Sequence, residues 1–68
     1  MIHLTRLNQS PIVLNADLIE HIELTPDTVI SLTGGETIRV IESADEVVRR
    51  VIEWRRQIAE RLFDGQRE

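Results

Sequence analysis

The sequence contains no cysteine, no lysine and no tyrosine, and its aromatic residues are Trp54 and Phe63 alone. Without cysteine the chain cannot form disulfide bonds, a thiol nucleophile or a Cys-based zinc or iron–sulfur site. No apolar run approaches the roughly 20 residues needed to cross a bilayer, and the N-terminus lacks the basic segment and long apolar run of a signal peptide. We therefore expect a cytoplasmic protein with no direct membrane insertion.

Glycine and proline are also scarce, with three and two copies, whereas 41% of the residues are hydrophobic and 29% are charged. This composition is typical of a globular chain and not of a disordered one. The 68 residues suffice for one domain, but the core of so small a domain contributes only about 3 to 5 kcal/mol. We therefore expect a single domain over residues 1–68 that gains stability as a homo-oligomer.

The charge balance is acidic, because eight arginines face twelve Asp and Glu residues and give a formal net charge of −4. An acidic domain repels polyphosphates and anionic membrane surfaces unless its cations cluster on one face. The segments that read as strands also contain no aromatic residue on which bases could stack. The sequence therefore predicts that nucleic acid is not a partner.

The first 41 residues predict an antiparallel β meander of about five strands. Ile2 and Leu4 alternate with polar neighbours, as in a half-buried strand, and a second apolar run begins at Pro11. Asn8 and Ser10 suit the turn between these runs, because both side chains bond locally to backbone amides. Proline lacks an N–H, so this second strand is predicted to lie at a sheet edge.

The next segments are separated by clear turn signals. Residues 15–18 read as a turn or one loop of 3₁₀ helix, and a strand is favoured over 19–24, although the mixed spacing also fits a helix. Residues 28–32 are β-branched and apolar, and Gly34 and Gly35 predict a two-residue primed turn before a last strand over 36–41.

The C-terminal third reads as one amphipathic helix over residues 43–63, followed by a frayed tail over 64–68. Ser43 and Glu46 have the spacing of a capping box, and Gly65 is placed to end the helix. The predicted fold class is therefore α+β: a small antiparallel meander followed by one long C-terminal helix.

Apolar residues cover roughly half of this helix, which is wide for a single contact with a sheet. Trp54 lies at the edge of the apolar arc and reads either as core or as an interface anchor. Arg55 lies inside the arc, where its guanidinium must snorkel to water, pair across an interface or bind an anion. The surplus apolar surface predicts a contact with another subunit or protein. The candidate interface residues are Val47, Val51, Trp54, Arg55, Ile58 and Leu62.

Catalytic and metal-binding patterns are missing from the sequence. His3 and His21 are too few for a zinc site, and the neighbouring acids have no recognised metal spacing. Ser10, Asp17 and His21 have the residue types of a triad but none of its local motifs. We therefore expect no enzyme activity, no metal and no cofactor.

Four segments carry a family resemblance: I-x-L-T-R-L-N at 2–8, V-L-N-A-D-L-I-E at 13–20, T-P-D-T at 25–28 and I-E-W-R-R at 52–56. From Met1 to about Ile58 the chain resembles the flagellar FlbD family, also called swarming motility protein SwrD. Gln9 departs from it, since the family usually has Gly there. The resemblance implies a role in motility, with support of flagellar motor power proposed, and no enzyme activity. It gives no partner, and a flagellar motor or export component is our own expectation.

Two alternatives remain open. The opening Met-Ile-His-Leu-Thr-Arg is similar to the carbon storage regulator CsrA, a small RNA-binding dimer of strands and a C-terminal helix. CsrA-like proteins read RNA with a basic edge strand and an Asn-Ala-Pro segment before the helix, whereas residues 38–42 of this chain are Ile-Arg-Val-Ile-Glu. The other alternative is a purely structural, self-assembling protein.

Overall fold

The computed structural model describes the backbone of residues 1–24 and 26–67 and the side chains of residues 1–24 and 26–61. Over these residues the fold is α+β, with five antiparallel strands followed by one C-terminal helix, which confirms the predicted class. The elements in chain order are β1 (Ile2–Thr5), β2 (Pro11–Leu14), a 3₁₀ turn (Ala16–Leu18), β3 (Ile19–Leu24), β4 (Thr28–Leu32), β5 (Thr37–Val40) and α1 (Ala44–Arg67).

The strands form two antiparallel sheets that are joined to each other. β1 pairs with β2 in one sheet, and β4 lies between β3 and β5 in the other. Where β1 ends, the Ile41 N–H donates to the Thr5 carbonyl at 2.9 Å. One residue pair further on, the Leu7 N–H donates to the Arg39 carbonyl at 3.3 Å. The end of the first hairpin is therefore fastened to β5, which curves the meander around a common core.

The first hairpin closes with a three-residue loop. The Arg6 N–H donates to the Ser10 carbonyl at 2.9 Å, and the Gln9 N–H donates to the Arg6 carbonyl at 2.8 Å. Gln9 has a φ of 69°, the left-handed conformation that closes such loops and that favours glycine. Asn8 accepts from the Ser10 N–H at 3.0 Å, as predicted for a local turn bond.

The second hairpin, between β4 and β5, closes with the same hydrogen-bond pattern. The Leu32 N–H donates to the Glu36 carbonyl at 2.8 Å, and the Gly35 N–H donates to the Leu32 carbonyl at 3.1 Å. Both glycines have positive φ, 100° at Gly34 and 93° at Gly35, as the sequence predicts. The predicted two-residue loop is wrong, because the loop holds residues 33–35.

The core lies between the two sheets and the first half of α1. Alternation along the strands is confirmed, since Ile2 and Leu4 of β1 and Ile30 and Leu32 of β4 point inward. Val47 is the helix residue that completes the core, and it has no exposed surface. The buried apolar residues are Ile2, Leu4, Leu14, Ala16, Ile30, Leu32, Val40 and Val47.

The helix begins with half of the predicted capping box. The Glu46 N–H donates to the Ser43 hydroxyl at 3.1 Å, so the serine caps the helix. The Glu46 carboxylate points along the helix instead of back to Ser43, because it accepts from Arg49 and from Arg50, the latter at 2.8 Å. Two cations within one turn outcompete a single backbone N–H for this carboxylate.

The helix also runs further than the sequence predicts. Its backbone is helical through Arg67, whereas the predicted end is near Phe63 with Gly65 as terminator and a tail over 64–68. Glycine inside a helix costs only about 1 kcal/mol relative to alanine, so it weakens a helix without breaking it.

Candidate interaction surface

The helix α1 lies between the two sheets and contacts β1 on one side and β3 on the other. Val47 is buried, and Val51 and Trp54 are half-buried against the core. The described residues from Arg55 to Arg61 are all exposed, so no described element covers this part of the helix. The apolar arc therefore begins in the core and continues onto an open surface.

A groove follows the side of the helix that faces β3. It has a volume of about 200 Å³, and two of its helix residues, Val48 and Ile52, are 46% and 55% exposed. These two lie four residues apart and so share one face of the helix. We call this hollow the β3 groove; it is lined by Ala16, Ile19, Ile22, Val48, Val51, Ile52 and Arg55.

A second hollow of about 280 Å³ lies one turn further along the helix. Both Trp54 and Ile58 line it; Trp54 is half-buried, whereas Ile58 is 39% exposed. The cation of Arg55 lies 5.7 Å from the centre of the Trp54 ring, within range of a cation–π attraction. We call this hollow the Trp54 patch; it is lined by Asp17, Trp54, Arg55, Ile58 and Ala59.

Arg55 separates the two hollows and lines both of them. Its guanidinium donates to a carboxylate oxygen of Asp17 at 3.1 Å, and the two side chains are 61% and 60% exposed. Asp17 is held there by the 3₁₀ turn, whose cap Asn15 accepts from the Asp17 N–H at 3.1 Å. The charged head thus lies in water, as the snorkelling interpretation has it, but its ion-pair partner is an acid of the same chain.

The predicted interface residues fall into three groups. Val47 belongs to the fold's own core and offers no surface to a partner, so its prediction as an interface residue is wrong. Val51 and Trp54 are divided between core and surface, and Arg55 and Ile58 are exposed. The side chain of Leu62 lies outside the described residues.

The predicted interface set contains two residues of the β3 groove, Val51 and Arg55, but leaves out the others that line it. Ile19 and Ile22 of β3 and Val48 and Ile52 of α1 line it. Helix periodicity places Val48 and Ile52 in the apolar arc, and the excess width of that arc is the signal for them. The sequence carries no signal for the contribution of β3, because pairing of a strand with one helix face depends on tertiary packing.

On the β1 side of the helix, one carboxylate connects three segments. Glu42, which is 10% exposed, accepts from the Thr5 N–H and from the Thr5 hydroxyl, both at 2.9 Å. Arg50 lies 3.4 Å from the same carboxylate and donates to the His3 carbonyl at 2.6 Å. We call Thr5, Glu42 and Arg50 the Glu42 clasp, because they fasten the start of the helix to β1.

The carboxyl groups on this side are held ionised. Burial is the largest single influence on Glu42 and raises its pKa, but the hydrogen bonds from Thr5, its own backbone N–H and the charge of Arg50 together outweigh burial and lower the pKa. Hydrogen bonds from Arg49 and Arg50 lower the pKa of Glu46, and Glu46 in turn raises the pKa of Arg49. Arg50, which bonds to Glu46, Glu42 and the His3 carbonyl, therefore helps to hold the start of α1 against β1.

The residues considered for chemistry do not meet in one place. His21 contacts Glu23 at 3.1 Å on the exposed surface of β3, while Ser10 lies in the first hairpin loop and Asp17 pairs with Arg55. Among the described residues, no group of three or more His, Asp or Glu side chains could hold a metal ion. Within the same residues, no helix is long and apolar enough to cross a membrane.

Comparison with known proteins identifies the family. Neither the curated proteins nor the solved structures contain a match to this chain. The model of the FlbD family, described as flagellar and swarming motility proteins, matches residues 1–59. This range runs from β1 through the part of α1 that carries Trp54 and Ile58 and covers most of the 68 residues. The chain therefore belongs to the FlbD family of flagellar and swarming motility proteins.

Proposed function

We propose that this protein is a non-enzymatic, cytoplasmic accessory of flagellar and swarming motility that acts by binding another protein, a component of the flagellar motor or of its export apparatus. Its contact site in this proposal is the Trp54 patch. The observation that carries the proposal is an exposed apolar patch on the part of the helix that lies within the family match over residues 1–59. Support of motor power is the expected consequence of the contact.

The Trp54 patch has the make-up of a protein-binding hot spot. A half-buried Trp54 is held in place by the core, so little side-chain entropy is lost when a partner contacts it. Ile58 and Ala59 supply apolar surface next to the ring, and Arg55 and Asp17 supply a charged rim of both signs. An apolar centre with a polar rim is the usual anatomy of a protein interface.

The charge distribution argues against the RNA-binding alternative. Of the seven arginines whose side chains the structure describes, five are paired with acids: Arg39, Arg49, Arg50, Arg55 and Arg56. A phosphate backbone would have to compete with these carboxylates while approaching a chain of net charge −4. Protein binding through the apolar patch needs no such exchange.

The test is a charge placed in the patch. Ile58→Glu puts a carboxylate beside Trp54, where a partner's apolar surface would remove its charge from water. The fold should be retained, because Ile58 is 39% exposed and lies outside the core. Gln57→Glu is the matched control, since it adds the same charge at an exposed neighbouring position outside the patch.

The measurement is complementation of cells that lack the native protein, scored by swarming rate and by the torque of single tethered motors. We expect Ile58→Glu to fail and Gln57→Glu to restore motility, with equal thermal melts for both purified proteins. A photo-crosslinker at exposed Ala59 should join the protein to a motor or export component in motile cells. Normal torque with Ile58→Glu would show that the patch has no part in motility.

A further inference from the structure

The strand β3 lies at the edge of its sheet, with β4 as its only neighbour among the described strands. A free edge presents unpaired N–H and C=O groups to any other strand. The second free edge, that of β2, begins with Pro11, which has no N–H to offer. Of the two edges, β3 is therefore the one equipped to accept another strand.

The pairing of β4 determines which backbone groups of β3 are free. The backbone N–H and C=O of Leu32 are bonded to the loop before β5. Successive residues of a strand direct these groups to opposite sides, so Ser31 and Val29 direct theirs toward β3. Their partners in β3 are Glu23 and His21. The alternate residues of β3 consequently direct their N–H and C=O groups away from β4.

Ile22 and Leu24 are these outward-directed residues. The hydrogen bonds on the far side of β5 obey the same alternation, since the Ile41 N–H and the Arg39 carbonyl point away from β4 toward the first hairpin. Glu20 is excluded as a regular edge residue, because the register shifts between Ile19 and His21 and leaves it unpaired in a bulge.

We propose that a second copy of this chain pairs antiparallel with the free edge of β3 about a two-fold axis at Ile22, and that this association covers the β3 groove. In this register the two Ile22 residues exchange backbone hydrogen bonds. Each His21 lies opposite Glu23 of the other copy, so the axis generates two pairs of imidazole and carboxylate. The contact is self-complementary, as a two-fold interface requires.

The neighbouring symmetric registers are less favourable. A shift that centres Glu23 on the axis places two carboxylates directly opposite each other, which repel. A shift that centres His21 on the axis places the two imidazoles opposite each other and relies on hydrogen bonds from Glu20 in the bulge. The register centred on Ile22 avoids both contacts and places each carboxylate opposite an imidazole, which can donate a hydrogen bond to it.

The same register accounts for the open groove. Ile22 lines the groove on the helix side of β3 and has Val48 and Ile52 opposite it. His21 and Glu23 lie on the other face of the strand, because side chains alternate. In the pair, both helices stand on one side of a continuous sheet, so the grooves of the two copies merge and their exposed apolar residues cover each other.

A charge exchange tests the proposal on the purified chain, independently of any motility assay. His21→Glu places a carboxylate opposite Glu23 of the other copy and should abolish the dimer in sedimentation equilibrium. The double variant His21→Glu/Glu23→Lys should restore it. Both side chains are more than half exposed in the single chain, so neither change disturbs the core.

A disulfide tests the position of the axis. The chain contains no cysteine, and Cα atoms of a hydrogen-bonded antiparallel pair lie about 5.5 Å apart, within disulfide range. Oxidised Ile22→Cys should migrate as a covalent dimer, and Glu36→Cys in the second hairpin loop should not. A chain that stays monomeric at all concentrations overturns the proposal. A dimer that His21→Glu does not dissociate and that oxidised Ile22→Cys does not cross-link overturns it as well.

Discussion

The Glu42 clasp makes the sharpest stability prediction, because a single carboxylate connects β1 to the start of the helix. Glu42→Ala removes the acceptor of two hydrogen bonds from Thr5 and one partner of Arg50. A hydrogen bond to a charged group contributes about 1.5 to 3 kcal/mol. Arg50 keeps its bonds to Glu46 and to the His3 carbonyl, so it is not stranded. We expect the free energy of unfolding to fall by about 2 to 4 kcal/mol.

That loss is large for this chain. A domain of this size has a total stability on the order of 3 to 10 kcal/mol, and about 4 to 8 °C of melting temperature is lost per kcal/mol. Thermal unfolding followed by circular dichroism should therefore show a drop of about 8 to 32 °C. Glu53→Ala is the control, because its pair with Arg56 at 3.7 Å is more than half exposed on both sides. It should shift stability by less than about 1 kcal/mol.

The pH dependence gives a second, independent measurement. The pKa of Glu42 is lower in the folded chain than its ordinary value of 4.5, so the folded state favours the ionised form. Its contribution is fully present above pH 4.5 and is lost as the pH falls through the folded pKa. The stability difference between wild type and Glu42→Gln should therefore shrink on acidification. A Glu42→Ala melt within about 2 °C of wild type, or a difference independent of pH, would refute the clasp.

Two further substitutions probe the first loop and the residue between the two hollows. Gln9→Gly should raise the free energy of unfolding by about 1 kcal/mol, because a left-handed conformation is strained for glutamine and free for glycine; a lowered denaturation midpoint in urea would contradict this. Arg55→Glu should leave the thermal melt within about 1 kcal/mol of wild type, because its pair with Asp17 is exposed, yet weaken both dimerisation and motility. If sedimentation and swarming both stay normal, Arg55 has no part in association and its guanidinium only snorkels to water.

Local patterns predict most of the fold, because they need no knowledge of distant residues. The alternation of Ile2 and Leu4, the edge position of Pro11 and the positive φ of both glycines follow from neighbours in sequence. Loop length does not follow in the same way, since Gly34 and Gly35 fit either a two-residue or a three-residue loop. In both hairpins the residue before the loop, Arg6 or Leu32, donates its N–H to the carbonyl four positions on, and this bond closes a three-residue loop.

The surface is harder to predict, because it depends on what the fold brings together. Glu42 and Thr5 are 37 positions apart, and nothing in either segment marks them as partners. Arg55 sits inside the apolar arc on a helical wheel, but the wheel does not show that the sheets end before it. Asp17 reaches Arg55 because the 3₁₀ turn carries it there, 38 positions away in sequence.

One side of the helix therefore packs in the core, whereas another side remains exposed. Val47 is fixed by the core, whereas Val48 and Ile52, one and five residues further along the helix, keep about half of their surface in water. Apolar exposure at this density on so small a chain is typical of an interaction surface. The β3 groove and the Trp54 patch share Arg55, so an occupant of either hollow contacts a cation that also borders the other. Self-association through β3 and partner binding at Trp54 should thus be thermodynamically coupled, with the sign set by whether the Arg55 to Asp17 pair survives in both complexes.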